Sequence, residues 1–169
     1  MSISMRLVRR LVERENNPRT LASETTMRFI VMVKANKDSE AGILPTKEEL
    51  ADMGKFNDEL VKAGVMLAGE GLKDSSQGVR IAYAGNKRTV RDGPFAETKE
   101  LVAGFWIWQV KNRAEAIEWA KRIPFQEGEV EIRQVFEEED FGEEFTPELR
   151  EQERRQRAAI DKNKQRSGK

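Results

Sequence analysis

Apolar residues between positions 27 and 136 recur with two periods, which predict alternating strands and helices. Short apolar runs predict four strands, and they read "MRFIVMVKA", "VMLAGEGL", "GFWIWQV" and "VEIRQVF". Residues 46–64 and 112–123 show helical spacing, and each segment begins with a capping residue, Thr46 or Asn112. The first helix is expected to turn an apolar stripe towards the core, made of Leu50, Met53, Phe56 and Leu60.

A hairpin interrupts this series. The segment "VRIAYAGNKRTVRD" predicts two short strands that turn at Gly85-Asn86. The order is therefore β-α-β, a hairpin, and β-α-β again. This order predicts an α+β fold with a ferredoxin-like antiparallel sheet and two helices on one face.

Two of the predicted strands are apolar on both sides. In "FIVMV" and "FWIWQV" successive residues are apolar, so both faces of each strand are expected to be buried. Two helices can cover only one face of the sheet. We therefore expect a homodimer in which a second copy covers the other face. The terminal helices are the competing cover.

The two ends of the chain differ from the central domain at 27–136. Residues 1–26 carry a short amphipathic pattern, which predicts either a frayed extension or a short amphipathic helix. Residues 137–169 are highly charged, with acidic residues first and basic residues last, and Thr146 and Pro147 suit a helix start. We expect a solvated helical tail, and a partner-binding arm is the alternative.

Composition excludes several classes of function. The 169 residues include 30 basic and 30 acidic side chains, so net charge predicts binding neither to nucleic acid nor to an anionic membrane. We find no apolar run of membrane-spanning length and no signal peptide, and we expect a cytoplasmic protein. Cysteine and histidine are absent, which removes thiolate chemistry and the commonest metal ligand. Neither a cofactor nor a metal site is expected.

The three tryptophans are expected to be structural. Trp119 has helical spacing with the core. Trp106 and Trp108 are assigned to opposite faces of their strand, which argues against an RNA-stacking platform. At least one of them is expected in the core or an interface.

The segment "RDGPFAETKE" joins the hairpin to the most apolar strand. Gly93 and Pro94 predict a turn, in which Asp92 accepts a backbone hydrogen bond from two or three residues further on and Phe95 anchors the loop. A turn does not by itself require the charged residues that follow, which are Glu97, Lys99 and Glu100.

This segment resembles a known family. "DGPFAETKE" is similar to the hallmark of the DGPF subgroup of YCII-related (YciI-like) proteins, and the resemblance extends over about residues 27–136. It implies a dimeric α+β barrel in which two ferredoxin-like sheets enclose a cleft. YciI proteins proper are thought to be enzymes that use a His–Asp pair, which a chain without histidine cannot form. The subgroup is often encoded beside extracytoplasmic-function sigma factors, which implies a regulatory or accessory role.

Two functions follow from these residues. The first is a small-molecule site in the dimer cleft, with Asp92, Glu97 and Glu100 as candidate catalytic carboxylates. Its ligand-binding residues would also include Glu70, Arg91, Phe95, Lys99 and Trp106. The competing interpretation is that these charges pair with one another and stabilise the turn. The second function is a dimer that presents its loop or its charged tail to a protein partner. The sequence leaves open whether the chain is an enzyme.

Overall fold

The structure is a computed structural model that describes residues 26–96 and 100–167. Its helices and strands follow one another in an α+β order. They are β1 (Met27–Lys34), α1 (Lys37–Glu40), α2 (Lys47–Lys62), β2 (Met66–Gly71), β3 (Val79–Ala84), β4 (Lys87–Asp92), β5 (Val102–Val110), α3 (Arg113–Ala120), β6 (Val130–Gln134) and α4 (Pro147–Ser167). Two 3-10 segments, Ser75–Gln77 and Glu138–Glu144, lie between them.

The strands form two antiparallel sheets. The four-stranded sheet has the order β2-β5-β1-β6, so the two most apolar strands occupy its centre. Strands β3 and β4 form a separate two-stranded hairpin. Ala84 pairs with Lys87 at its tip, which confirms the predicted two-residue turn at Gly85-Asn86.

Both predicted helix starts are confirmed. The Thr46 side chain accepts a hydrogen bond from the Glu49 amide, and the Glu49 carboxylate accepts one from the Thr46 amide at 2.7 Å. Asn112 likewise accepts from the Glu115 amide at 3.0 Å. These side chains satisfy backbone N–H groups that have no partner within the helix.

Helices α2 and α3 cover one face of the four-stranded sheet. Trp106 and Trp108 both lie in this core, where their ring centroids are 6.0 Å apart. Their assignment to opposite faces was wrong, because residues two apart in a strand point to the same side. Phe56 of α2 packs edge-on against both rings.

The apolar stripe of α2 is narrower than the sequence predicted. Phe56 and Leu60 are buried and Met53 packs against the core, whereas Leu50 is 59% exposed. Leu50 lies in the first turn of the helix and does not belong to the buried core cluster. Its expected place in the core was therefore wrong.

The other face of the sheet also carries apolar side chains. Cross-strand pairing places Ile30 opposite Ile107 and Met32 opposite Phe105, and all four side chains are half-buried. We call this surface the second sheet face. At one end of it the Arg28 guanidinium pairs with Glu137 through two contacts of 2.8 and 2.9 Å.

The chain continues beyond β6 as a 3-10 segment and a long helix. Arg150 donates to the carbonyls of Phe145, Glu138 and Gly142, which fixes the start of α4 against the segment before it. The helix predicted to begin at Pro147 is present. Among the helices that the structure describes, none is long and apolar enough to cross a membrane. Apart from Thr26, the N-terminal segment 1–26 lies outside the described residues.

Candidate functional site

The DGPF motif, residues Asp92 to Phe95, lies against the 3-10 turn Ser75–Gln77. The Gly93 amide donates to the Gly78 carbonyl at 3.0 Å, and the peptide between Gly93 and Pro94 is cis. A Cβ added at Gly93 would lie 1.8 Å from the carbonyl oxygen of Ser75. Only glycine therefore allows the motif to approach the turn this closely.

Ser75 connects this turn to the motif and to α1. Its hydroxyl donates to the Glu40 carboxylate and accepts a hydrogen bond from the Phe95 amide at 3.1 Å. Its own amide also donates to Glu40, at 3.2 Å. The predicted bond to Asp92 is wrong, because Pro94 has no N–H group and the Phe95 amide is bonded to Ser75.

A recess of about 460 Å³ opens beside this junction. Its apolar wall comes from Phe95 and from the segments before β3 and at the start of β5. Its polar groups come from α1, from the 3-10 turn and the two residues before it, and from β3. The lining residues are Glu40, Leu72, Lys73, Asp74, Ser75, Gln77, Gly78, Arg80, Phe95, Leu101 and Val102.

The charged groups of the recess differ in the contacts that they form. The Asp74 carboxylate accepts hydrogen bonds from the hydroxyl and the amide of Ser76. The bond from the Ser76 hydroxyl, together with the nearby charge of Lys73, keeps the pKa of Asp74 below its usual value. The guanidinium of Arg80 lies over the Phe95 ring, with its central carbon 3.9 Å from the ring centroid.

Of the expected ligand-binding residues, the structure places Phe95 in the recess and Arg91 on the adjoining hairpin, outside the lining. Phe95 is half-buried and lines the recess. Arg91 pairs with Arg80 across the hairpin, and cross-strand partners share a face, so both arginines lie on the same side of β3 and β4.

Other candidates lie elsewhere. Asp92 ends β4 opposite Val79, and its side chain is exposed. The Glu100 carboxylate oxygen Oε2 lies 3.9 Å from Nζ of Lys34. The closer partner of that Nζ is Oε2 of Glu131, at 2.8 Å. Neither carboxylate lines the recess. Glu97 and Lys99 lie outside the described residues.

Glu70 and Trp106 are also distant from the recess lining. Glu70 is an exposed residue of β2, opposite Phe105 on the second sheet face. Trp106 belongs to the core beneath the helices, where its indole N–H donates to Asn57 at 3.0 Å. Its ring therefore forms part of the packing that supports β5.

Sequence reasoning missed all six polar residues of the recess, which are Glu40, Lys73, Asp74, Ser75, Gln77 and Arg80. The sequence contains a local signal for the helix that carries Glu40, because Asn36 and Ser39 form the capping box of that short helix. The connection to Ser75 spans 35 positions, so the helix signal alone does not reveal the recess.

Within residues 26–96 and 100–167, no three acidic side chains lie close enough together to hold a metal ion. Comparison with curated proteins found no matching relative. A family model described as a YCII-related domain matches residues 27–139. This match covers the whole four-stranded sheet, the hairpin and the recess. Because it spans more than half of the chain, the protein belongs to the YCII-related family.

Proposed function

We propose that this protein binds a small molecule in the recess beside its DGPF motif. The observation that carries the proposal is the recess itself, whose volume of about 460 Å³ falls within the range of about 300–1,000 Å³ typical of ligand pockets. The hydrogen bonds of Ser75 and the close contact at Gly93 fix its walls.

The lining suits a ligand with an apolar part and a polar part. Leu72, Phe95, Leu101 and Val102 supply apolar surface, and the polar groups come from Glu40, Lys73, Asp74, Ser75, Gln77 and Arg80. Small-molecule sites likewise combine apolar contacts, which supply affinity, with polar groups that fix the ligand's orientation.

The proposal is ligand binding and not carboxylate catalysis. Glu40 is already hydrogen-bonded to Ser75, and Asp74 is hydrogen-bonded to Ser76. The described catalytic candidates, Asp92 and Glu100, do not line the recess. No described carboxylate of the recess is therefore free of an internal partner to act as a base.

We also propose a ferredoxin-like homodimer of the DGPF subgroup. The strand order β2-β5-β1-β6 and the two helices on one face support the ferredoxin-like part of this proposal. The half-buried apolar side chains of the second sheet face support the dimer, because a second copy would remove them from water. The motif "DGPFAETKE" supports the subgroup.

A screen of small fragments, followed through amide resonances of Gly78 and Phe95, tests the ligand site. A Leu72→Trp substitution should fill the recess and abolish binding of the fragments that shift these resonances. Leu67→Trp is the matched control, because Leu67 is similarly exposed and lies outside the recess. Fragments that bind equally to both variants would contradict the proposed site, as would a screen without any hit at these amides.

One observation favours the second function, binding of a protein partner. Val79, Ile81 and Val90 lie on one face of the hairpin, and each is about half or more exposed. An exposed apolar face of this kind is typical of interaction sites. Capture experiments should compare the full chain with Ile81→Lys and with a chain ending near Phe136. A partner lost only on hairpin substitution would assign the contact to the hairpin and not to the tail.

A further inference from the structure

The recess contains both signs of charge, but only its carboxylates have hydrogen-bonded partners. Glu40 accepts the Ser75 hydroxyl and amide, and Asp74 accepts the Ser76 hydroxyl and amide. These bonds occupy the acceptors with groups of the chain itself. A ligand that donates hydrogen bonds would therefore gain less from either carboxylate than from one without internal partners.

The two cations of the recess, Lys73 and Arg80, differ from the carboxylates in their hydrogen bonding. Within the described residues, Lys73 and Arg80 form neither a hydrogen bond nor an ion pair. The face of the Arg80 guanidinium lies over Phe95 at 3.9 Å, which leaves the N–H groups at its edge available. An arginine stacked in this way is held in position for a planar or tetrahedral anion.

A second arginine increases the positive charge at this place. Arg91 is directly opposite Arg80 on the hairpin, and both side chains are exposed. Like charges at directly opposed positions of two antiparallel strands destabilise the pair. An anion bound beside them would offset part of this repulsion.

We infer that the recess selects ligands that carry an anionic group, a carboxylate or a phosphate, which Arg80 and Lys73 bind. The rest of the ligand contacts Leu72, Leu101 and Val102, which form the apolar wall. Arg91 contributes through its charge, since it does not line the recess. The inference rests on the proposed function and specifies the ligand class of the same site.

Four probes with one aromatic ring test the ligand class. Phenyl phosphate and benzoate are anionic, benzyl alcohol is neutral and benzylamine is cationic. Titration of the full chain, followed at the amides of Gly78 and Phe95, should show the anions binding more tightly than the other two. The ratio between phenyl phosphate and benzoate distinguishes a phosphate ligand from a carboxylate ligand.

An Arg80→Gln variant should bind the preferred anion about tenfold more weakly, because a charge-assisted hydrogen bond is lost. Its affinity for benzyl alcohol should not change. Lys87→Gln is the matched control, since it removes the same charge from an exposed position of the hairpin outside the recess. Amide spectra of both variants report whether the fold is intact.

Three results would overturn the inference. Benzyl alcohol could bind as tightly as the anions, or Arg80→Gln could bind anions like the original chain. Anion binding could also appear only after Glu97→Gln, which would mean that the chain itself neutralises Arg80. In each case the fragment screen with Leu72→Trp decides separately whether the recess binds any small molecule.

Discussion

Gly93 lies against the backbone of Ser75 so closely that any side chain at position 93 would overlap the Ser75 carbonyl. The same glycine donates its amide to Gly78, so the contact is fixed from two sides. This contact joins the DGPF motif to the turn that forms one wall of the recess.

A Gly93→Ala substitution should therefore destabilise the protein. Because the obstructing atoms belong to the backbone, they cannot move aside as a flexible side chain would, and we expect a loss of about 2 kcal/mol or more in unfolding free energy. Urea denaturation measures the change. Gly54→Ala is the control of opposite sign, since its Cβ meets nothing within 4 Å and alanine in a helix interior stabilises by about 0.5–1 kcal/mol.

Replacement of Ser75 by alanine should release the DGPF motif. The Phe95 amide loses its hydrogen-bond acceptor, and the Glu40 carboxylate loses the hydroxyl donor but keeps the amide of residue 75. The loss should cost about 1 kcal/mol. Hydrogen exchange at the Phe95 amide should become faster. Ser76→Ala should leave that exchange rate unchanged, because Ser76 bonds to Asp74 and not to the motif. Equal exchange rates in all three proteins would show that the bond to Ser75 does not hold the motif.

The ion pair between Arg28 and Glu137 should make stability depend on pH. The hydrogen bond from Arg28 keeps the pKa of the Glu137 carboxyl below its usual value. A carboxyl whose pKa is lower in the folded state stabilises the fold above its unfolded pKa of about 4.3. That contribution is lost as the pH falls through the lower, folded value.

Glu137→Gln should consequently cost about 0.5–1 kcal/mol at pH 7 and progressively less below about pH 4.3. Thermal unfolding of both proteins across this range measures the difference. Glu139→Gln serves as the control, because Glu139 is exposed and forms no ion pair within the described residues. A difference that stays constant down to pH 3 would contradict the role assigned to the pair.

The proposed dimer predicts the effect of a charge on the second sheet face. Ile107→Lys should convert the dimer to a monomer, because a lysine at an apolar interface would lose its hydration without gaining a partner. Sedimentation velocity measures the mass, and circular dichroism verifies that the variant is folded. Leu50→Lys, on the exposed part of α2, should remain dimeric. A monomeric original chain at micromolar concentration would refute the dimer.

Local features of the fold could be predicted from the sequence, because the residues that determine them are neighbours in the chain. The caps at Thr46 and Asn112 and the turn at Gly85-Asn86 each depend on two to four adjacent positions. The order of strands and helices then follows from the apolar periodicity. The error at Trp106 and Trp108 has a different origin, since strand geometry alone would have placed them on one side.

The recess could not be predicted because residues far apart in the chain form it. Glu40, Ser75 and Phe95 belong to three segments, separated by 35 and 20 positions. Periodicity carries no information on which loops meet at such distances. The motif indicated the right region through Phe95 and Arg91. Arg80 could not be recognised, because a charged residue in an alternating strand is ordinarily interpreted as solvent-facing.

The hairpin contacts the recess near its base, where the Gly93 amide donates to the Gly78 carbonyl and Arg80 lines the recess. Its tip at Asn86 lies at the far end of both strands. The chain contains no cysteine. A single Asn86→Cys replacement would consequently provide one thiol for attaching a fluorophore or a surface tether, at a point remote from the DGPF motif. Ligand binding could then be followed on immobilised or dye-labelled protein without chemical modification of the pocket.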